Sequence, residues 1–289
     1  MIRDSELIIN RDGTIFHLHL RPENIASKII LVGDPGRVDL VASNFDSSEF
    51  RISNREFVSV TGSFNNTRVT VVSTGIGTDN IDIVLNELDA LVNVDFKSRA
   101  VKDKITHLDI LRIGTSGALQ PDIPVNSFVV SAKSIGFDDV LSYYANWEQV
   151  CDTDFEERLK ESLGGVKSLS HIYVVNASEE LLRKFNSPDF IRGVNISAPG
   201  FYGPQGRVIR LPLADPELNE RIESFRYQDY SISNYEMESS AIYGLCRLMG
   251  HRALTVCEII ANRVTGDANE NYHQNIAKLI RLALQKFTG

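Results

Sequence analysis

The sequence predicts an α/β fold, one domain built on a sheet buried on both faces. Two observations carry this. Apolar β-rich runs recur along the 289 residues, with segments of helical spacing between them, the alternation from which α/β proteins are built. The runs 28–32 (KIILV), 109–113 (DILRI) and 254–260 (LTVCEII) are almost continuous in Leu, Ile and Val, as strands covered on both faces must be.

In chain order, strands are expected at 28–32, 68–73, 109–113, 126–131, 171–175 and 254–260. Helices are expected at 36–44, 79–93, 152–162, 177–186, 215–226, 237–249 and 270–287. The last is the clearest. Ile276, Leu279, Ile280, Ala283, Leu284 and Phe287 repeat at helical spacing and make one apolar face. Residues 93–108 (NVDFKSRAVKDKITHL) are polar and charged. They read as an extended helix end or a surface insertion, with the charges toward solvent. No repeat, low-complexity tract or Pro/Gly-rich linker divides the chain, so a single domain over 1–289 is expected.

The net charge of −8 argues against a nucleic-acid partner, which wants a positive surface. It leaves room for small anions, for which a few arginines suffice. The three cysteines, Cys151, Cys246 and Cys257, show no metal-type spacing and suit a reducing compartment. No window approaches the length of apolar chain that spans a bilayer, and the start MIRDSELIIN lacks the apolar core of a signal peptide. No membrane association and a cytoplasmic location are expected.

Three glycine turns each follow an apolar run: LVGDPGRV (31–38), VVSTGIGTDN (71–80) and RIGTSGAL (112–119). Ligands of open α/β sheets collect at the carboxyl ends of strands, near helix N-termini. None of the three is a dinucleotide fingerprint or a phosphate loop. The arginines add weight. Arg37 follows the first turn. Arg112 lies inside the apolar run ILRIG, where a charge needs a partner. Arg55 stands in SNREF. Arginine's planar donors match two phosphate oxygens at once, but taken singly each arginine is more often one side of a structural ion pair. Thr115 and Ser116 add hydroxyls beside Arg112. In SNYEMESSAIY (233–243), Ser233 and Glu236 have the spacing of a capping box, so Glu236 is expected to cap the following helix.

The ordered set GDPGRV, SNREF, STGIG, LRIGTSG, FYGPQGR, NYEMES and IIANR resembles the nucleoside phosphorylase family, and within it the uridine-cleaving members. The resemblance runs from about Phe16 to the C-terminal helix. It implies a single-domain three-layer α/β/α fold with a central mixed twisted sheet. It also implies reversible cleavage of uridine by phosphate; Ala261, smaller than the valine common at that place in the family, leaves room for deoxyuridine or thymidine as well. The products are the base and the sugar 1-phosphate. The same-fold alternatives are cleavage of purine nucleosides or methylthioadenosine; a non-catalytic nucleoside-binding protein is a further alternative.

Carried over residue by residue, the resemblance assigns phosphate to Gly33, Arg37, Arg112 and Thr115, with Arg55 reaching a neighbouring subunit's phosphate. It assigns the ribose to Met237 and Glu238, with Glu236 lining the site. His17, preceded by Phe16, would cross the interface toward the 5′-hydroxyl. The base falls to Phe201, Gln205, Arg207, Ile260 and Ala261, with Arg263 bracing that end. Arg112, Gln205, Arg207 and Glu238 would carry the catalysis. No cofactor and no catalytic metal are implied, and phosphate is a co-substrate. A structural potassium or sodium ion at Glu56 and Ile76 is a further implication, as is a dimer or hexamer with shared sites. Purine-specific relatives carry a Ser–Asp pair after the late strand, where this chain reads Ala261-Asn262-Arg263.

Overall fold

The computed structural model describes residues 1–164, 169 and 171–289. Its elements run β1 (Lys28–Val32), α1 (Pro35–Ala42), β2 (Ser47–Asn54), β3 (Phe57–Phe64), β4 (Thr67–Ser73), α2 (Thr78–Asn93), β5 (Val94–Asp95), β6 (Ala100–Val101), β7 (Asp109–Ala118), β8 (Phe128–Gly136), α3 (Thr153–Leu163), β9 (Tyr173–Asn176), α4 (Glu179–Lys184), β10 (Phe190–Ser197), α5 (Leu218–Ser224), β11 (Arg226–Tyr227), β12 (Tyr230–Glu236), α6 (Ser239–Met249), β13 (Arg252–Asn262) and α7 (His273–Thr288).

Eleven strands join one mixed sheet in the order β11-β12-β10-β8-β13-β7-β1-β4-β3-β2, with β9 beside β8. The apolar runs form its centre. β1 lies parallel between β4 and β7, and β13 lies parallel to β7. The sheet also closes on itself. β12 pairs antiparallel with β7, Asn234 opposite Ala118 and Tyr235 opposite Gly117. The path β7–β13–β8–β10–β12 therefore returns to β7 as a ring. Register shifts between Gly193 and Val194 in β10 and between Ile259 and Ala261 in β13 sit on that path. Such bulges bend and twist a strand, which closure requires.

The expected face of α7 is buried as read: Ile276, Leu279, Ile280, Ala283, Leu284 and Phe287 all pack inward. Each large side chain removed from water contributes roughly 1.5–3 kcal/mol. A second apolar cluster, including Phe155, Leu159, Ile196 and Ile222, involves α3 and α5. Residues 93–108 are a surface insertion, not a helix end. β5 and β6 make a small hairpin, and 101–107 are exposed. No helix among the described residues is long and apolar enough to cross a membrane.

Two readings change. The strands β2, β3, β10 and β12, and the short β5, β6 and β11, are absent from the expected set; β2 and β12 are rich in Ser and Asn, which masks a strand. Ser233 lies inside β12 and donates to the Val194 carbonyl, so it makes no capping box. The chain around His17 is a turn, and His19 has a positive φ of 56°.

Gly62 shows how closely the outer hairpin packs. It lies on β3 opposite the irregular stretch of β2 between Ser48 and Phe50, and a Cβ there would collide with the Ser47 carbonyl. Gly62→Ala is expected to cost about 1–3 kcal/mol through backbone displacement. A lowered midpoint in urea unfolding checks this; an unchanged midpoint refutes it.

Candidate active site

A cavity of about 600 Å³ opens at the carboxyl ends of the central strands. Its walls come from the turn after β1, the turn after β4, the end of β7, the 201–207 loop, the β12–α6 junction and the bulge of β13. Gly33, Arg37, Arg112, Thr115, Ile76, Phe201, Gln205, Arg207, Glu236, Met237, Glu238, Ile260 and Ala261 all line it. Sequence motifs far apart in the chain meet here because most lie at or just beyond the carboxyl end of a strand of the one sheet.

The first wall is suited to an anion. Gly33 leads into α1, whose N-terminus is capped by Asp34 accepting from the Gly36 N–H at 2.8 Å. Arg37 reaches under β7 and donates to the Ile113 carbonyl at 3.4 Å. Burial lowers its pKa most, and the neighbouring Arg112 lowers it further, so two cations face the same wall. An anion relieves that repulsion. Ser116 Oγ is buried on the same wall beside Cys257 and has no oxygen or nitrogen partner among the described residues, so it can turn to a ligand.

Arg112 is 5% exposed, and its guanidinium pairs with the Glu238 carboxylate, with Glu236 Oε2 at 3.9 Å. Burial lowers the Arg112 pKa, but the attraction of Glu238 and Glu236 outweighs it, and the net shift is upward. For Glu238 burial dominates; despite Arg112, its pKa is raised, with Glu236 adding to the shift. Its other oxygen accepts from the Gly77 N–H at 2.8 Å.

Glu236 has a different task. It accepts from the backbone N–H groups of Glu238 and Ser239, at 2.9 Å and 3.0–3.1 Å, and from the Ser197 hydroxyl. It therefore caps α6, though from the end of a strand and without Ser233. Met237 stands half-buried between the two carboxylates. Cys257 lies behind Arg112, and burial pushes its thiol up to about 12, which leaves it inert.

The opposite wall is a brace of polar side chains. Gln205 is 3% exposed. Arg207 donates to Gln205 Oε1 and to the Phe201 carbonyl, both at 2.5 Å, and its guanidinium lies 3.8 Å over the Phe201 ring. Arg263 donates to the Gln205 and Gly206 carbonyls and so holds the loop from behind. Burial, then Arg263, lowers the Arg207 pKa. The β13 bulge lies where Ile260 and Ala261 line the cavity.

Asn262 is spent elsewhere. Its amide donates to the Gln120 and Ile123 carbonyls, and its oxygen accepts from Val264 and Thr265. Asp267, the carboxylate that follows Asn262 in the chain, is exposed and bonded to Thr265. It does not line the cavity.

Phe16, His17 and Arg55 do not line this cavity. They form a patch of their own. Arg55 lies 5.4 Å over the Phe16 ring, and Phe16 meets His17 edge-on at 4.7 Å. Glu56 and Ile76 are both exposed, Glu56 close to Gly75. Sequence reasoning missed Tyr235 as a wall residue. It is buried, lines the cavity and donates to Asn219, which in turn donates to the Gln205 carbonyl. Its place next to Glu236 at a strand end was the available signal.

The phosphorylase superfamily model matches residues 27–288. A uridine phosphorylase of Haemophilus influenzae is 30% identical over 86% of this chain and 86% of its own length. A guanosine phosphorylase of Halorubrum lacusprofundi is 26% identical over 94% of this chain and 98% of its own. The crystal structure of a Trypanosoma brucei nucleoside phosphorylase, described as showing uridine phosphorylase activity, superposes with a TM-score of 0.85 at 28% identity, covering 97% and 99% of the two chains. The match spans nearly all of the sheet and its cavity, and this chain belongs to the phosphorylase superfamily.

Proposed function

We propose that the protein is a uridine phosphorylase that reversibly converts uridine and phosphate to uracil and ribose 1-phosphate, with deoxyuridine or thymidine as further substrates. The observation that carries this reading is the braced Gln205–Arg207 pair on the cavity wall. Uracil offers acceptors at O2 and O4 and a donor at N3. A glutamine amide supplies one donor and one acceptor, and an arginine only donors. That set matches a uracil edge. The Asn262 amide, committed to backbone groups, supports a pyrimidine over a purine, since no acid stands there to protonate a purine ring.

The reaction is then a displacement at the anomeric carbon. A phosphate oxygen held by Gly33, Arg37, Arg112 and Thr115 bonds to C1′ as the C1′–N1 bond breaks. The electron pair passes to the base, where Gln205 and Arg207 stabilise the charge spreading onto its oxygens. Glu238, with Met237 beside it, holds the 2′- and 3′-hydroxyls. Glu236 shapes that end. Phe201, Ile260 and Ala261 enclose the base. Phosphate's own charge steadies the cationic sugar, so positioning does most of the work. No cofactor, catalytic metal or covalent enzyme intermediate enters the scheme. A potassium or sodium ion at Glu56 and Ile76 would be structural.

The reading makes 1–289 one domain and the working unit a homo-oligomer. The patch of Phe16, His17 and Arg55 lies outside its own chain's cavity, which supports donation to a partner's site in a dimer or hexamer. Closed symmetry is usual for such assemblies.

Three outcomes test it. Uracil should be released from uridine only when phosphate is present, and inosine should be cleaved far less; no phosphate-dependent release from uridine at high protein concentration refutes the reading. Gln205→Leu should lower kcat/KM for uridine by about 10²–10³-fold, the usual loss when a charge-stabilising donor is removed. If inosine is the better substrate, this change leaves its cleavage nearly intact. Gly114→Ala puts a methyl against the Arg112 guanidinium. The phosphate KM should rise roughly 10–100-fold, the value of one or two charge-assisted hydrogen bonds, with a smaller change in the uridine KM.

A further inference from the structure

Glu87 is a buried carboxylate, 8% exposed, on α2, and the scheme above does not use it. No lysine or arginine pairs with it among the described residues. Its oxygens instead gather three donors from the N-terminal turn. The His17 N–H lies at 3.0 and 3.1 Å, the Leu18 N–H at 2.8 Å, and His17 Nδ1 at 2.6 Å. The two backbone N–H groups serve to hold the turn. The contact to the ring does something further.

A carboxylate accepts and cannot donate, so the imidazole nitrogen facing it carries the proton. The other nitrogen is then left to serve a ligand, as when a carboxylate orients a metal-bound histidine. No protein group bonds His17 Nε2 among the described residues. The ring is 26% exposed on its side-chain surface, and it is wedged between Phe16 at 4.7 Å and Phe57 at 6.4 Å. Asn54 holds the backbone behind it by donating to the His17 carbonyl at 2.8 Å. The ring is thus locked on three sides and open on one.

We propose that Glu87 is a positioning residue. It fixes the His17 ring in the Nδ1–H form, so that Nε2 accepts a hydrogen bond from the 5′-hydroxyl of a nucleoside bound in a neighbouring copy's cavity. This rests on the uridine phosphorylase reading and adds to it the group that makes the histidine an oriented acceptor. Discrimination for the 5′-hydroxyl then depends on a residue that never touches the substrate.

The test compares kcat/KM for uridine and 5′-deoxyuridine at saturating phosphate. Wild type should favour uridine by about tenfold, the value of one hydrogen bond. His17→Ala should bring the ratio close to one. Glu87→Gln keeps an acceptor for the turn but loses the charge and offers the ring a donor in its place. It should lower the ratio at least about threefold with the phosphate KM unchanged, and adding His17→Ala should lower it little further. A Glu87→Gln enzyme with the wild-type ratio overturns the proposal, as does a wild-type ratio near one. Wild type that does not phosphorolyse uridine overturns both this proposal and the reading beneath it. A second measurement needs no variant at residue 87. Imidazole ¹⁵N shifts of the wild type, with His17 assigned by its loss in His17→Ala, should report a proton on Nδ1 and none on Nε2 in the ligand-free protein. The opposite tautomer overturns the proposal.

Discussion

The structure depends on a charge that an apolar strand cannot carry alone. Arg112 sits on β7, in the middle of the sheet, with almost no contact with water. Leaving such a group unpaired costs several kcal/mol, and removing one partner of a buried pair typically costs about 3–5 kcal/mol. Glu238 and Glu236 answer it, and both lie at the β12–α6 junction. The β12–β7 pairing that closes the ring brings that junction over Arg112. Fold closure and site assembly are therefore one event: the residues that pin β12 to β7 also bring the carboxylates to the arginine.

The same pairing explains why the two carboxylates differ although they are two residues apart. Glu236 is anchored by the first N–H groups of α6 and by Ser197, so it is spent on structure. Among the described residues the Glu238 carboxylate bonds Arg112 and the Gly77 N–H, and each of those lies on the cavity wall or beside it. Buried and held by few partners, it can exchange them for ligand hydroxyls. On the proposed reading, phosphate takes over Arg112 while ribose hydroxyls take over Glu238. Each ligand then replaces a contact that the other's partner gives up, which favours their binding together.

Much of this was legible in the sequence wherever one residue type has one physical role. The continuous runs of β1, β7 and β13 had to be buried strands, and the α7 face had to be inward. Arg112 inside ILRIG had to find a partner or an anion, and it lies where it can do both. What was not legible arises from pairing over long range. β12 reads YSISNYE, with two serines and an asparagine, because its polar groups answer other strands; Ser233 donates to Val194 across the sheet. Local pattern assigns such a stretch to a helix cap. Nor does any local signal tell that Asn262 would be consumed by two carbonyls of the 120–123 turn, or that Tyr235 would reach Gln205 through Asn219. These are facts of closure, and closure is not written in any single segment.

The N-terminal segment raises a separate physical problem. Residues before β1 hold no regular strand or α-helix, and such segments fray unless they are tied down. Here the ties are numerous. Arg99, on the hairpin of the 93–108 insertion, donates to the carbonyls of Ile2, Arg3 and Leu7, and its own carbonyl accepts the Ile2 N–H at 2.7 Å. Asn10 bonds Thr14 and the Ile15 carbonyl, and Glu87 takes the turn at His17. The insertion thus has work to do at the far end of the chain. Helix α2 joins the cavity to the N-terminal turn. The Gly77 N–H at its start touches Glu238, and Glu87 stands ten residues on, about 15 Å along the axis. On the proposed reading, one helix therefore sets both the sugar carboxylate of its own cavity and the histidine offered to another. On the proposed reading, rigidity in α2 fixes the spacing between a site and its neighbour, and the shared sites keep their geometry only as long as that helix does.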